Sequence, residues 1–174
     1  MIRSVLGEAA NEPIEGQSAV AHVILNRVAS GKWGGNASSV VLAPGQFEPW
    51  QTRKAELTAI NPNSAAYQNA GQIVDSAADA KTDPTGGATH FLNPQIVMQH
   101  YGKLPPWAQG SSLTIGGHRF FAPDNPDYNG PSAAINAAIQ QDTIPPSAAN
   151  AIKAAISPTT NDSADAIKAA IGAQ

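Results

Sequence analysis

At 174 residues the chain is long enough for one domain with a real core, or for a domain and an appendage. Charged residues are only 13%, about half the usual share, and Ala, Asn, Gln, Ser, Gly and Pro fill the gap beside a 42% hydrophobic fraction. A formal net charge of -3 without charge runs offers no basic patch for nucleic acid or an anionic membrane, and zero Cys excludes disulfides and zinc–thiolate sites.

No stretch reaches the ~18 apolar residues of a membrane span. Residues 1–30 also lack a basic leader, an apolar signal core and a small-residue cleavage site, so no signal peptide is visible in this chain. The 15 Gly and 14 Pro predict many turns and few long helices.

The spacing of Ile2, Val5, Leu6 and Ala9 predicts a short helix over 2–11. Pro13 disfavours helical geometry at Glu12, so that helix is expected to stop near Asn11. A second helix follows from about Glu15, with Val20, Val23, Ile24 and Val28 on a wide apolar face and Gly31 as its stop. It is apolar around much of its girth and is therefore expected at the centre of the core. Gln17, His22 and Asn26 are its polar exceptions, and each needs a hydrogen-bond partner if buried.

Ser38-Ser39-Val40-Val41-Leu42 is a short apolar element, and Pro44-Gly45 a turn leading into Gln46-Phe47-Glu48-Pro49-Trp50. Asn63 or Ser64 caps a third helix whose buried face is Ala66, Tyr67, Ala70, Ile73, Val74 and Ala77. Asp83-Pro84-Thr85-Gly86-Gly87 is a turn signal, and Ala88–Leu92 after it reads as a strand. Leu113–Ile115 and His118–Phe121, interrupted by Gly116-Gly117, form a second β candidate, expected to pair with the first as a small antiparallel sheet. A helical piece near Gln95–His100 and the loop Leu104-Pro105-Pro106-Trp107 lie between them.

After Asn129-Gly130-Pro131 the composition turns to Ala, Ile, Asn, Ser and Pro, and an Ala-Ile-Xaa-Ala-Ala-Ile unit recurs at Ala134, Ala151 and Ala166. Helices this short are marginal alone and need something to pack on. The reading is thus a domain over 1–130 and an Ala/Ile-rich tail of short helices over 131–174 that suits a protein partner.

General acid catalysis on a sugar acetal needs a carboxylic acid kept protonated near neutral pH. Glu8 fits: it follows Gly7, sits at a helix C-terminus where the dipole disfavours the anion, and has apolar neighbours one turn back. Glu12, four residues on, is expected to add a second negative charge that raises the Glu8 pKa further. On spacing alone, solvated helix-end carboxylates remain the commoner reading of such a pair.

His22, His90, His100 and His118 show no metal-ligand spacing, so neither a metal nor another cofactor is expected. His118 is a candidate groove donor, although a hydrogen-bonded structural role is commoner for that residue type. Trp33, Trp50 and Trp107 fall in Gly/Pro-rich loops and, with Phe47 and Tyr101, are candidates for stacking on sugar rings or for plugging loops onto the core.

The run Gly7-Glu8-Ala9, Glu12-Pro13, Glu15-Gly16-Gln17, Ala19-Val20-Ala21 and Val23–Val28 resembles the cell wall hydrolases of the SleB/CwlJ type. Gln46-Phe47, Asp83–Ala88, Phe91 with Asn93-Pro94, Pro106-Trp107 and Ile115–Phe121 agree in the same order, so the resemblance covers about residues 2–122 and not the tail. It implies a mainly α (α+β) fold, a lysozyme-like or lytic-transglycosylase-like helical domain with a small antiparallel β element. It also implies cleavage of the N-acetylmuramic acid–N-acetylglucosamine β-1,4 bond in peptidoglycan glycan strands, at the cell wall.

The family's catalytic Glu falls on Glu8. Glu12, Gln17, Gln46, Phe47, Trp107, His118 and Phe121 are then expected to support the site or bind substrate. Where many members read Gly-Glu-Ala-Arg-Gly-Glu, this chain has Ala10-Asn11 between the glutamates, which removes a positive charge near the acid. A non-catalytic wall-binding or virion structural protein on the same scaffold is the competing reading. A zinc-dependent wall amidase is weaker, for want of a visible ligand set.

Overall fold

The computed structural model describes residues 1–126 and 128, so the Ala/Ile repeats and the boundary expected near Gly130 lie outside the described residues. Among these described residues seven helices precede or interleave with three short strands: α1 (Ile2–Ala9), α2 (Ile14–Ser30), α3 (Ala37–Leu42), α4 (Pro49–Thr52), α5 (Lys54–Ala59), α6 (Ala65–Asp79), β1 (His90–Leu92), α7 (Pro94–Tyr101), β2 (Leu113–Ile115) and β3 (His118–Phe121). A single 3₁₀ turn, Pro106–Ala108, lies between α7 and β2.

Helix α2 is the spine. Ala19, Val20, Ala21, Val23 and Ile24 are fully buried, and the helix packs against α1, α3, α6 and the sheet. Gly31 ends it in the left-handed region (φ 69°), its N–H donating to the Val28 carbonyl. Pro13, at φ -60° and ψ 164°, sits just before α2, so α1 stops at Ala9, two residues earlier than the apolar spacing suggests. Of the remaining helices, α3 is fixed by an Asn36/Ser39 capping box and α6 by the Ser64 hydroxyl, which accepts from the Tyr67 N–H. The apolar run 38–42 is thereby a helix. Helices α4 and α5 have too few periodic apolar positions to be visible in sequence. They form because Pro49 and Leu57 pack on α1 at Gly7, where an added Cβ would sit 2.9 Å from the Pro49 Cβ.

The strands form one antiparallel sheet in the order β1-β3-β2, with Phe91 opposite Phe120 and Ile115 opposite His118. Gly116 (φ 59°) makes the β2–β3 turn. Strand β1 is two residues shorter at its start than Ala88–Leu92, because the Ala88 and Thr89 carbonyls accept instead from the side chains of Asn26 and Arg27 on α2.

Asn26 on α2 finds the hydrogen-bond partners that burial demands, and His22 lies near one of them. Asn26 donates to Asp83 (2.8 Å) and to the Ala88 carbonyl (2.9 Å), and His22 Nδ1 lies 3.6 Å from Asp83. Burial alone would raise the Asp83 pKa, but bonds from Thr85, Asn26 and the Gly87 N–H outweigh it and hold the carboxyl below its usual value. The turn after α6 is thus pinned to α2 by one carboxylate.

Ile24→Ala should cost about 2–5 kcal/mol by removing a fully buried side chain from this spine. Urea unfolding should show a lower midpoint with an unchanged slope, whereas Leu42→Ala, at a position 56% exposed, should shift the midpoint little.

Candidate active site

Glu8 lies on the last turn of α1, where the outward-facing carbonyls disfavour an anion. Its carboxyl makes no hydrogen bond or close ion pair among the described residues, while Gly7 beside it lets α4 and α5 close over the helix end. Burial is the main influence on its pKa, and the negative charge of Glu48 adds to it. Against the opposing pull of Arg53 and Arg27, they push it up to about 7.

The second carboxylate that acts on Glu8 is therefore Glu48, at the start of α4, and not Glu12. Chain direction explains the correction. Helix α1 ends before Glu12, and the turn carries that side chain the other way, to the β2–β3 hairpin. There Glu12 Oε2 accepts from the Gly117 N–H (2.7 Å), and Oε1 lies 3.5 Å from His118 Nδ1. Three glycines clear its berth: a Cβ at Gly16 would meet the Glu12 Cβ at 3.0 Å, one at Gly117 its Oε1 at 2.7 Å, and one at Gly116 would run into Oε2. Gln17 completes the corner, its Nε2 donating to the Glu12 carbonyl at 3.1 Å. Glu12 and Gln17 thus fasten the turn after Glu8 to the sheet.

Arg27 was not singled out by sequence pattern, although an arginine inside the most apolar helix is itself a signal. It is 5% exposed, and a buried guanidinium needs its donors filled. Its Nε donates to the Thr89 carbonyl at 2.6 Å and its NH1 to Gln46 Oε1 at 3.2 Å. The group also lies over the rings of Trp33 and Phe47, at 5.3 and 5.2 Å from their centroids. Burial lowers its pKa to about 10, and the Glu8 charge opposes the shift, so Arg27 stays a cation facing the acid. It supplies a positive charge in a chain whose Ala10-Asn11 lacks one. Arg53 supplies another and donates to the Gly7 carbonyl at 2.8 Å.

Gln46 accordingly holds Arg27. Phe47 and Phe121 are each 1% exposed; they support Arg27 and Trp107 from beneath. His118 is 6% exposed, packed against Phe91 and Phe120, and its buried Nδ1 makes no hydrogen bond; burial lowers its pKa and Glu12 opposes the shift. Its Nδ1 side walls the Glu12 berth. Trp50 lies in α4, tied to the Ser4 hydroxyl at 2.9 Å. Trp33 and Trp107 remain partly exposed, on either side of His90. Among the described residues no group of three or more His, Asp or Glu is placed to hold a metal ion.

The sequence pattern of one family, described as cell wall hydrolase, matches residues 11–121. Glu8 lies three positions before the start of that segment. A spore cortex-lytic enzyme of Halalkalibacterium halodurans is 34% identical over 120 residues, 69% of this chain and 33% of that protein. One from Bacillus cereus is 32% identical over 69% of this chain and 42% of its own length. The chain therefore spans well under half the length of these two relatives. Among solved structures, the catalytic domain of the germination-specific lytic transglycosylase SleB from Bacillus anthracis is similar at 31% identity and a TM-score of 0.56, covering 70% of this chain and 90% of that one. The catalytic domain of Bacillus cereus SleB gives 30%, 0.53, 70% and 86%.

The Glu8 pKa has a stability signature. Its folded value of about 7 exceeds the ordinary 4.5, so the folded state holds the proton more tightly. The penalty for ionising the buried acid is then absent below the unfolded value, and it grows as pH rises through about 7, to the order of 3 kcal/mol. Glu8→Gln should gain on the unaltered chain by roughly that amount between about pH 4 and about pH 9, read from urea midpoints. A constant difference across that range would contradict the placement.

Proposed function

The chain belongs to the cell wall hydrolase family, and from that premise we propose that it cleaves peptidoglycan glycan strands at the β-1,4 bond between N-acetylmuramic acid and N-acetylglucosamine, with Glu8 as its single catalytic carboxylate. The observation that carries this reading is the Glu8 carboxyl itself, half-protonated near neutral pH, at the end of α1 with two arginines in electrostatic reach. Its place of action on this reading is the wall.

The chemistry follows from the charges. Burial and Glu48 keep the acid protonated before reaction, so Glu8 donates its proton to the glycosidic oxygen as the C1–O bond breaks. The sugar left behind carries positive charge at C1 in an oxocarbenium-like state. Glu8 is now an anion facing Arg27 and Arg53, whose attraction lowers the energy of the charged state as it forms. The muramic 6-hydroxyl then attacks C1 and returns its proton to Glu8, giving a 1,6-anhydro ring and restoring the acid. Water attacking in its place would give a reducing end. We favour the intramolecular route: Glu12 is committed to the hairpin, this reading gives Glu48 only the role of raising the Glu8 pKa, and SleB of Bacillus anthracis, a lytic transglycosylase by name, is among the similar structures.

Glu8→Gln should abolish release of muropeptides from purified sacculi while the protein stays folded. Mass spectrometry of the wild-type digest should find 1,6-anhydro-muramic ends. An active Glu8→Gln protein would sink the assignment, and reducing ends alone would replace the lyase route with hydrolysis.

A further inference from the structure

Beyond Arg27, three partly exposed rings follow one another across the start of the sheet. His90, the first residue of β1, stands between Trp33 and Trp107, with ring centroids 5.7 Å and 5.0 Å away. Each tryptophan is held from behind. Trp33 lies under the Arg27 guanidinium at 5.3 Å, and Trp107 meets the buried Phe121 edge-on at 5.6 Å. The imidazole is fixed too, with Nδ1 3.0 Å from the Thr89 hydroxyl, which leaves Nε2 without a protein partner among the described residues.

Past Trp107 the row opens into a cavity of about 320 Å³, walled by Trp107, Gln109, Ser111, Phe121, Pro123 and Tyr128 among others. None of the described side chains that line it carries a charge at neutral pH. It offers apolar ring and proline faces together with the Gln109 amide, the Ser111 hydroxyl and peptide groups, the Tyr128 hydroxyl being taken by the Thr85 carbonyl.

We infer that Trp33, His90 and Trp107 form a saccharide platform running from the Arg27 side of the site into this cavity, which takes a neutral N-acetylated hexosamine of the glycan strand. Resting on the glycan reading above, it extends the site past the bond that is cut. Hexopyranose rings present apolar C–H faces and a polar hydroxyl rim. Held indoles suit the faces, and an imidazole nitrogen without a partner between them suits the rim. The absence of charge selects among wall components. A stem-peptide carboxylate would give up its hydration here with no cation among the described lining side chains to meet it, whereas an acetamido group finds amide and hydroxyl partners beside an apolar wall for its methyl. The His90 pKa is lowered mainly by burial, with Arg27 adding to the shift and Asp124 opposing it, which suits a neutral hydrogen-bonding group.

The test is direct binding, kept apart from turnover by working in the Glu8→Gln protein. Calorimetry with a hexamer of β-1,4-linked N-acetylglucosamine should show binding weakened about tenfold by Trp107→Ala and by Ser111→Tyr. The second variant fills the cavity from an exposed loop position and should leave the melting temperature unchanged. A stem peptide bearing free carboxylates should bind no differently to either variant. Unaltered oligosaccharide affinity in a folded Ser111→Tyr protein, no oligosaccharide binding at all, or a loss confined to the stem peptide would each overturn the inference. Failure of the catalytic reading shows separately, as sacculi that yield no muropeptides with the unaltered chain.

Discussion

An acid with no hydrogen-bond partner among the described residues, held where water is scarce, is the constraint the rest of this domain serves. Glu8 costs stability whenever it is ionised, and no described residue bonds to it to repay that cost. The surroundings must therefore be stable in their own right. Gly7 admits Pro49 and Leu57 to the helix end, the Arg53 guanidinium ties α4 and α5 back to the Gly7 carbonyl, and Trp50 bonds to Ser4 one turn earlier. A fully solvated end of α1 would leave Glu8 an ordinary carboxylate.

Opposing charges then set the poise. Glu48 and burial favour the proton, and Arg27 and Arg53 favour its loss, so neither state of the acid is far from the other at neutral pH. Arg27 can do this only because α2 is rigid. A guanidinium on the most buried helix, bonded to Thr89 and Gln46 and packed on two aromatic rings, has little freedom to collapse onto Glu8 and quench it. Glu12 plays the corresponding part for the backbone, fastening the turn after Glu8 to the hairpin through Gly117.

Much of the scaffold was legible in the residue pattern. The apolar girth of α2, the Gly31 stop, the Ser64 cap and the Gly116-Gly117 turn are local signals, and the structure uses each as its chemistry suggests. Glu8 was legible as a helix-end carboxylate, although its environment was not. The pull of Glu48 comes from a residue forty positions away, and α4 and α5 exist mainly because α1 offers them a surface. Helical spacing placed Glu12 beside Glu8, but the turn before Pro13 sends it to a partner 105 residues on. Aromatic type left Phe47 and Trp107 alike as candidates for stacking on sugars or plugging loops onto the core, and only packing separates a ring that is 1% exposed from one that lines an open cavity.

The central claim is the protonation state of one side chain. Carbon-13 NMR of the Glu8 carboxyl, assigned through the Glu8→Gln protein and followed through a pH titration, measures it without reference to activity. The account predicts a midpoint near 7, and a midpoint at the ordinary value near 4.5 would contradict it.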